Sequence, residues 1–357
     1  MSLETIRINS NSKDYSVVFD KSLENLKTLS NEQNVMYLID KKVWDLYQSI
    51  FFSSISIEKT ILIEALEDNK DYFALGNIIE RLTVIQAKKN LTLVAIGGGI
   101  IQDMTGFIAS VLYRGIHWIF IPTTLLAQAD SCIGAKTSIN FKNNKNLLGT
   151  FWAPSEIWLS TQFINTLETN DFYSGIGEII KLFLIDGEKS LQSLNDYSSA
   201  TEIDLRKDIE TYLKQALYIK KGFIEVDEFD KGVRNILNFG HCIGHAIESS
   251  TNYAISHGQA VTLGMIWANI VAVKSGILSN ELNQKVLKEY LKNSHTITKE
   301  QLSFDVTLIV NAMKKDKKRE NTDLAIILMA DDYKFNRINN LKESVIFETY
   351  NEFISLF

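Results

Sequence analysis

Three of the chain's five histidines, His241, His245 and His257, fall within seventeen residues. The first two end a polar series, Arg234-x3-Asn238-x2-His241-x3-His245, whose steps of four, three and four predict one helix. At about 100° per residue, all four side chains then share an arc of roughly 60°. Imidazoles at i and i+4 can hold one metal ion, or one can ligate while the other moves protons. The neighbours Ile236, Leu237, Phe239, Ile243 and Ile247 are apolar, so this helix is expected to be buried almost all round. Buried Arg and His side chains need partners; the competing reading is an exposed polar face. His257 follows a short loop and opens a further apolar helix. It offers a third nitrogen, and a carboxylate in place of one histidine would give an open three-ligand site. Among many carboxylates, Glu178 in SGIGEIIK stands out, with Lys181 at i+3 on the same face of an otherwise apolar helix. A plain helix ion pair explains those two equally well.

A second chemistry is written upstream. The apolar run Leu91 to Ile96 ends in Gly97-Gly98-Gly99, followed by Gln102, Asp103 and Gly106. Glycines at the carboxyl end of a strand let backbone approach a phosphate, and the helix that follows adds a favourable dipole. A dinucleotide pyrophosphate fits there, although the spacing is not G-x-G-x-x-G and a tight strand-to-helix turn is an equal alternative. Asp40, after the run Val35 to Ile39, is placed to meet a ribose or adenine, or else to cap a helix.

The elements that must position these residues change in texture along the chain. Short β-branched runs (Tyr15 to Phe19, Val35 to Ile39, Lys59 to Ile63, Leu91 to Ile96, Trp118 to Ile121) alternate with helical patterns, which predicts an α/β layer with a mostly parallel sheet. From about residue 160, long amphipathic patterns dominate, as in Leu205 to Ile224 and Ala260 to Val273, with few strand candidates. Pro154, one of only two prolines, stands near that change. The expected domains are residues 1–160 and 161–357, in keeping with a 357-residue chain that is 45% apolar and 22% charged. A net charge of −6 has the wrong sign for neutralising nucleic-acid phosphates or an anionic membrane, and the KKDKKR run reads as a solvated helix end. Two cysteines make neither a paired metal site nor a disulfide framework, and Cys132 and Cys242 read as small core residues rather than reactive thiols. With no signal-peptide pattern and no apolar stretch long enough for a membrane span, the expected setting is the cytoplasm.

Taken together, GGGIIQDMTGF, YRGIHWIFIPTTLLAQADSCIGAKTSIN, KNLLGTFWAP, SGIGEIIK, RNILNFGHCIGHAIE and HGQAVTLGM closely resemble the 3-dehydroquinate synthases and the wider sugar phosphate cyclase superfamily. The resemblance runs in unbroken order from about residue 35 to 320. It implies an N-terminal Rossmann-like NAD-binding α/β domain, a mainly helical C-terminal metal-binding domain, and a homodimer. It implies Glu178, His241 and His257 as ligands of zinc or another divalent ion such as cobalt, with substrate hydroxyls in the open positions and His245 as proton shuttle. The NAD contacts it implies are Asp40, Glu67 and Lys70, Gly98, Gly99, Asp103, Thr123, Thr124, Lys145 and the segment from Thr166 to Asp171. The substrate contacts it implies are Asp130, Lys136, Asn146, Lys181, Lys220, Arg234, Asn238 and a lysine of the Lys314 to Lys318 cluster, Lys317. Of these, Asp130, Lys136, Asn146 and Lys181 join His245 in catalysis, and Arg114 reaches the neighbouring subunit's substrate phosphate.

The activity implied is conversion of 3-deoxy-D-arabino-heptulosonate 7-phosphate to 3-dehydroquinate plus phosphate, a step toward the aromatic amino acids. The residue types suit such a ligand: Arg234 offers a planar fork for a carboxylate and the lysines point charges for phosphate. Alternatives are a secondary-metabolic cyclase acting on another sugar phosphate such as sedoheptulose 7-phosphate, a metal-dependent polyol dehydrogenase, and a non-catalytic binder. Five positions depart from the family's usual pattern: Gln102, Ala135 and Gly177, Cys242 and Gln259. None removes a ligand, but Gln102 is expected to bear on the pyrophosphate turn. Gln259 is expected to deprive His257 of a supporting carboxylate.

Overall fold

The computed structural model describes residues 3–84, 88–142, 144–194, 196–302, 304–315 and 323–357. The chain divides into two compact units, Met1–Leu167 and Glu168–Phe357.

The first unit is built on strands β1 (Thr5–Ile8), β2 (Tyr15–Phe19), β3 (Val35–Asp40), β4 (Thr60–Ile63), β5 (Thr92–Gly97), β6 (His117–Pro122) and, beyond a hairpin of β7 (Lys136–Phe141) and β8 (Asn144–Phe151), β9 (Glu156–Leu159). The sheet order is β1-β2-β9-β6-β5-β3-β4. Only the β1–β2 pair is antiparallel. The central strands are covered on both faces, which is why they read as continuous apolar runs: β3 and β5 keep almost every residue buried. Helices α1 (Glu24–Leu29), α2 (Lys41–Tyr47), α3 (Tyr72–Val84) and α4 (Gly99–Val111) complete the unit. Tyr37 and Ile39 of β3 and Trp44 of α2 pack with Phe52 and Phe163 in its main core. The carboxyl ends of β3, β5 and β6 lie side by side, and the first turn of α4 starts from the end of β5, the usual ligand-binding edge of such a sheet.

The second unit is mainly helical. It contains α5 (Thr169–Asp186), α6 (Glu188–Leu191), α7 (Glu202–Val226), α8 (His241–Ser250), α9 (His257–Lys274), α10 (Asn280–Glu289), α11 (Val306–Lys314) and α12 (Glu343–Ile354). An antiparallel hairpin of β10 (Leu324–Ala330) and β11 (Lys334–Leu341) is also present, where few strands were expected. Helix α9 is buried without interruption from Gly258 to Ala272, as a helix apolar all round must be. Helix α5 crosses it at a point where neither backbone carries a side chain. A Cβ on Gly258 would lie 1.7 Å from the Ser174 carbonyl oxygen, and one on Gly177 would lie 2.3 Å from the Gly258 carbonyl oxygen. This close approach sets Glu178 of α5 against His257, the first residue of α9.

The single helix expected over residues 234–245 is not formed. Arg234 and Asn238 lie in a 3-10 turn, Val233–Asn238, and α8 begins only at His241. Between them Gly240 adopts φ +78°, and a Cβ there would meet Met265 Cγ and the Val261 carbonyl at 2.6 Å. The left-handed residue breaks the helix and re-aims the chain.

Candidate metal and dinucleotide sites

In the second unit Glu178, His241 and His257 each offer one donor atom, and the three atoms lie within 4.8 Å of one another. Glu178 is 1% exposed, and its Oε1 has no hydrogen-bond partner. Facing that oxygen are His257 Nε2 at 3.4 Å and His241 Nε2 at 3.7 Å. The other oxygen, Oε2, takes the Lys181 ammonium, itself buried. A buried carboxylate oxygen left unpartnered is costly unless a cation belongs there.

Both imidazoles are fixed from behind. His241 Nδ1 lies 3.2 Å from the Phe239 carbonyl, which can only accept, so Nδ1 carries the proton and Nε2 presents its lone pair toward Glu178. His257 Nδ1 donates to Glu248 Oε2 at 3.1 Å. Against the burial that would raise it, the Lys181 ammonium and the two imidazoles hold the Glu178 carboxyl well below the usual range. Burial, reinforced by Lys181, pushes His241 well below the ordinary histidine value. Burial opposes charge on His257 too, but the Glu178 and Glu248 carboxylates on its two sides outweigh it and push the ring up to about 10. One carboxylate and two oriented imidazoles with room for further ligands is the donor set of a catalytic divalent-metal centre, and the residues fit a zinc-like ion.

Around this centre the expected residues separate. Asn238, His241 and His245 line one cavity, together with Asn235, Cys242 and Arg337. His245 is exposed, against the expectation of a helix buried almost all round. Arg234 is buried, and its Nη1 donates to the Glu228 carbonyl. Its loop is organised by Asp227, whose Oδ2 accepts from the Gly232 and Arg234 amides at 2.7 and 3.0 Å. Lys220 is buried on α7. Lys317 lies outside the described residues. Cys242 Sγ donates to the Ala325 carbonyl at 2.9 Å.

Gln259 makes its hydrogen bonds away from the His257 ring. Its Oε1 accepts from the Thr296 amide at 2.9 Å and its Nε2 faces Asn170 and Ser256. The carboxylate that supports His257 is Glu248, which the sequence reading did not single out, although it stands three residues after His245 on α8.

In the first unit Thr123 donates its amide to the Gly97 carbonyl at 2.9 Å, and the Thr124 side chain packs over Gly98, beside which lies Gly99 at the start of α4. These residues gather at the ends of β5 and β6. Asp40 lies at the adjacent end of β3 and caps α2, accepting from the Lys42 amide at 3.0 Å, so its helix-capping role is real. Burial raises its carboxyl above the usual value. Gln102 exchanges two hydrogen bonds of 2.6 Å with Ser131, whose hydroxyl lies next to Gly99 of the glycine turn.

A second polar cluster centres on Lys70, which is 4% exposed. Its ammonium meets Asp103 Oδ2 at 3.0 Å, Asn146 Oδ1 at 2.7 Å and Glu67 at 3.5 Å. Ser138 donates both its amide and its hydroxyl to Asp103, and Asn140 holds Glu67 and the Asn146 amide. Lys145 lies 3.9 Å from Glu67. The cluster thus joins Glu67, Lys70, Asp103, Lys145 and Asn146 through two hairpin residues, Ser138 and Asn140, that the sequence did not announce. Burial raises the Asp103 carboxyl against the pull of Lys70. Lys136 is exposed at the start of β7, after Ala135 at φ +60°. Asp130 is partly buried in the short π-helix Ala127–Ser131 that follows β6, and Arg114 is exposed at φ +63°. Thr166 bonds the Tyr47 hydroxyl at 2.7 Å, and Asp171 is exposed in the first turn of α5.

Comparison with known proteins agrees with this layout. A family model described as 3-dehydroquinate synthase N-terminal matches residues 60–174, and one described as 3-dehydroquinate synthase C-terminal matches residues 175–319. The 3-dehydroquinate synthase of Campylobacter fetus subsp. fetus (strain 82-40) is 35% identical over 330 residues, covering 90% of this chain and 91% of that one. A solved 2-epi-5-epi-valiolone synthase from Streptomyces hygroscopicus subsp. jinggangensis 5008, with NAD+ and Zn2+ bound, gives a TM-score of 0.85 at 22% identity, covering 99% of this chain and 100% of its own. A 2-deoxy-scyllo-inosose synthase complexed with carbaglucose-6-phosphate, NAD+ and Co2+ gives 0.82 at 24%, covering 98% and 100%. The two structures share the fold, while the sequence relationship carries the assignment: the chain belongs to the 3-dehydroquinate synthase family of enzymes.

Proposed function

We propose that the chain converts 3-deoxy-D-arabino-heptulosonate 7-phosphate to 3-dehydroquinate and phosphate, with NAD and a divalent metal ion as cofactors. The observation that carries this reading is the convergence of Glu178, His241 and His257 on an unpartnered buried oxygen, in a chain of this family. When bound, NAD would accept and return a hydride and the metal ion would polarise substrate oxygens held near Glu178, His241 and His257.

The rest is the work of the chain. Lys181, tied to Glu178, holds one carboxylate oxygen so that the other is left for the ion. His245, exposed on the cavity wall beside His241, is placed to take up and release a proton from solvent. Lys220, Arg234, Asn238 and Lys317 would hold the substrate's anionic groups, and Asp130, Lys136 and Asn146 are further proposed substrate contacts. The Lys70 cluster and the glycine turn would take the dinucleotide, with Asp40, Thr166 and Asp171 as further contacts. The overall change is redox neutral: a hydroxyl is oxidised to a ketone, the carbon beside it loses its acidified proton while phosphate leaves from the carbon beyond, the ketone is reduced again, and the ring opens and closes anew by aldol attack. We place the reaction in aromatic amino-acid biosynthesis in the cytoplasm. A homodimer, in which Arg114 reaches the partner's substrate phosphate, completes the reading.

Phosphate release by the purified protein with NAD, zinc and the heptulosonate phosphate tests it. Release without accumulation of NADH is expected, and His241→Ala should lose both tight zinc and activity. Release only from sedoheptulose 7-phosphate, or bulk NADH during turnover, overturns the assignment.

A further inference from the structure

His257 stands between two carboxylates. Its Nε2 faces Glu178 at 3.4 Å, and its Nδ1 faces Glu248 at 3.1 Å. Glu248 follows His245 by three residues on α8, a spacing that sets both on one helix face. The His245 and His257 rings lie 5.5 Å apart with planes 28° from parallel. One donor atom each from His245, Glu248 and His257 fall within 4.8 Å of one another, the same bound that the first triad meets. His257 therefore belongs to two donor sets.

We propose that His245, Glu248 and His257 form a second, weaker site for a divalent cation, and that filling it switches the enzyme off. Imidazole and carboxylate together suit zinc, cobalt and similar ions. An ion held at about 2.0–2.2 Å spaces its donors about 3.3–3.6 Å apart, close to the 3.4 and 3.7 Å from Glu178 to its two imidazoles and the 3.1 Å between His257 and Glu248. The first triad fills first, because Glu178 is buried with an oxygen that nothing else satisfies. The second opens to solvent through His245, and its ion must replace the hydrogen bond between His257 and Glu248. In that exchange the ion takes a lone pair on His257 Nδ1 and the Nδ1 proton goes to solvent. Glu248 then ligates instead of orienting His257, and the His245 nitrogen that would carry a proton is occupied. The inhibition rests on the proposed proton role of His245; the binding does not.

Metal-free protein titrated with zinc alone, followed by calorimetry and by competition with a chelator, reads the stoichiometry directly. Two unequal equivalents are expected in the native chain and one in both His245→Gln and Glu248→Gln. His245 is exposed, so the first variant tests the site without disturbing the core, and thermal melts check the second. Phosphate release by the native protein should fall as the second equivalent fills. A single equivalent up to millimolar zinc, or a second one that survives both substitutions, overturns the site. Unchanged turnover with the second equivalent bound overturns the inhibitory role. A protein that releases no phosphate at any zinc level refutes the proposed reaction, and the titration still decides the site.

Discussion

Glu248 Oε2 accepts the Nδ1 proton of His257 at 3.1 Å, and this one bond decides which ring nitrogen His257 turns toward Glu178. Without it the ring can rotate or take the other tautomer, and the second nitrogen of the triad is no longer held in place.

Replacing Glu248 by Ala should therefore weaken zinc binding at the Glu178 triad by about 10–100-fold, the range found for carboxylates behind ligating histidines. Competition with a chromophoric chelator measures it. Glu248→Asp should recover part of the affinity, whereas a purely structural role would show in the melting temperature and leave the zinc constant unchanged.

The crossing of α5 and α9 should be equally intolerant. A Cβ at residue 258 would overlap the Ser174 carbonyl, and backbone cannot move aside as a flexible side chain can. Gly258→Ala is expected to cost about 1–3 kcal/mol by overpacking. It should also shift His257 relative to Glu178, so zinc affinity and the denaturation midpoint fall together. A variant with native midpoint and native zinc affinity would show that the helices tolerate separation.

The parallel strands β2 to β6 were legible because buried strands leave uninterrupted apolar runs. The hairpin β7–β8 was not, since polar residues interrupt both strands and β8 is mostly exposed, nor was β11, where apolar and polar residues follow no period of two. The metal-site residues could be read as types, but the helix joining them could not. Its break depends on the φ of Gly240, and a glycine inside a helical pattern does not declare its sign. Gln259 was misjudged for a geometric reason. Two residues beyond His257 on α9 points about 200° away around the helix, so adjacency in sequence put it on another face. The usable signal was the i+3 step from His245 to Glu248, which reaches His257 only once the loop between α8 and α9 has turned the chain back.

In the first unit, Lys70 and Asp103 form a buried pair with side-chain exposures of 6% and 20%. Lys70→Met removes the only cation shown on Asp103 among the described residues and leaves Ser138 as its donor. An expected cost of about 3–5 kcal/mol follows from stranding the carboxylate. Adding Asp103→Asn should return part of it, because the amide carries no charge and its oxygen can still accept from Ser138. Unfolding in urea gives both numbers, and a double variant no more stable than the single one would refute the pairing. NAD affinity should fall in both, if the cluster holds the dinucleotide.

His295 gives the chain a pH dependence away from the metal site. Burial lowers its ring to about 4, and its Nδ1 accepts from the Ile297 amide at 3.2 Å, a bond that requires that nitrogen to be unprotonated. The unfolded chain binds a proton near the ordinary value of 6.5, so between pH 6.5 and 4 the unfolded state carries more protons than the folded one. Stability then rises with pH through that window, is fully present above 6.5, and is lost as pH falls toward 4. Allowing for the ring's partial exposure, the amount is on the order of 2 kcal/mol. His295→Gln keeps an acceptor for the Ile297 amide and cannot titrate. Unfolding free energies from urea titrations between pH 7.5 and 4.5 should fall less steeply for that variant than for the native chain, by about that amount at the acid end. Parallel slopes would mean that the ring is already protonated in the fold or reaches solvent freely.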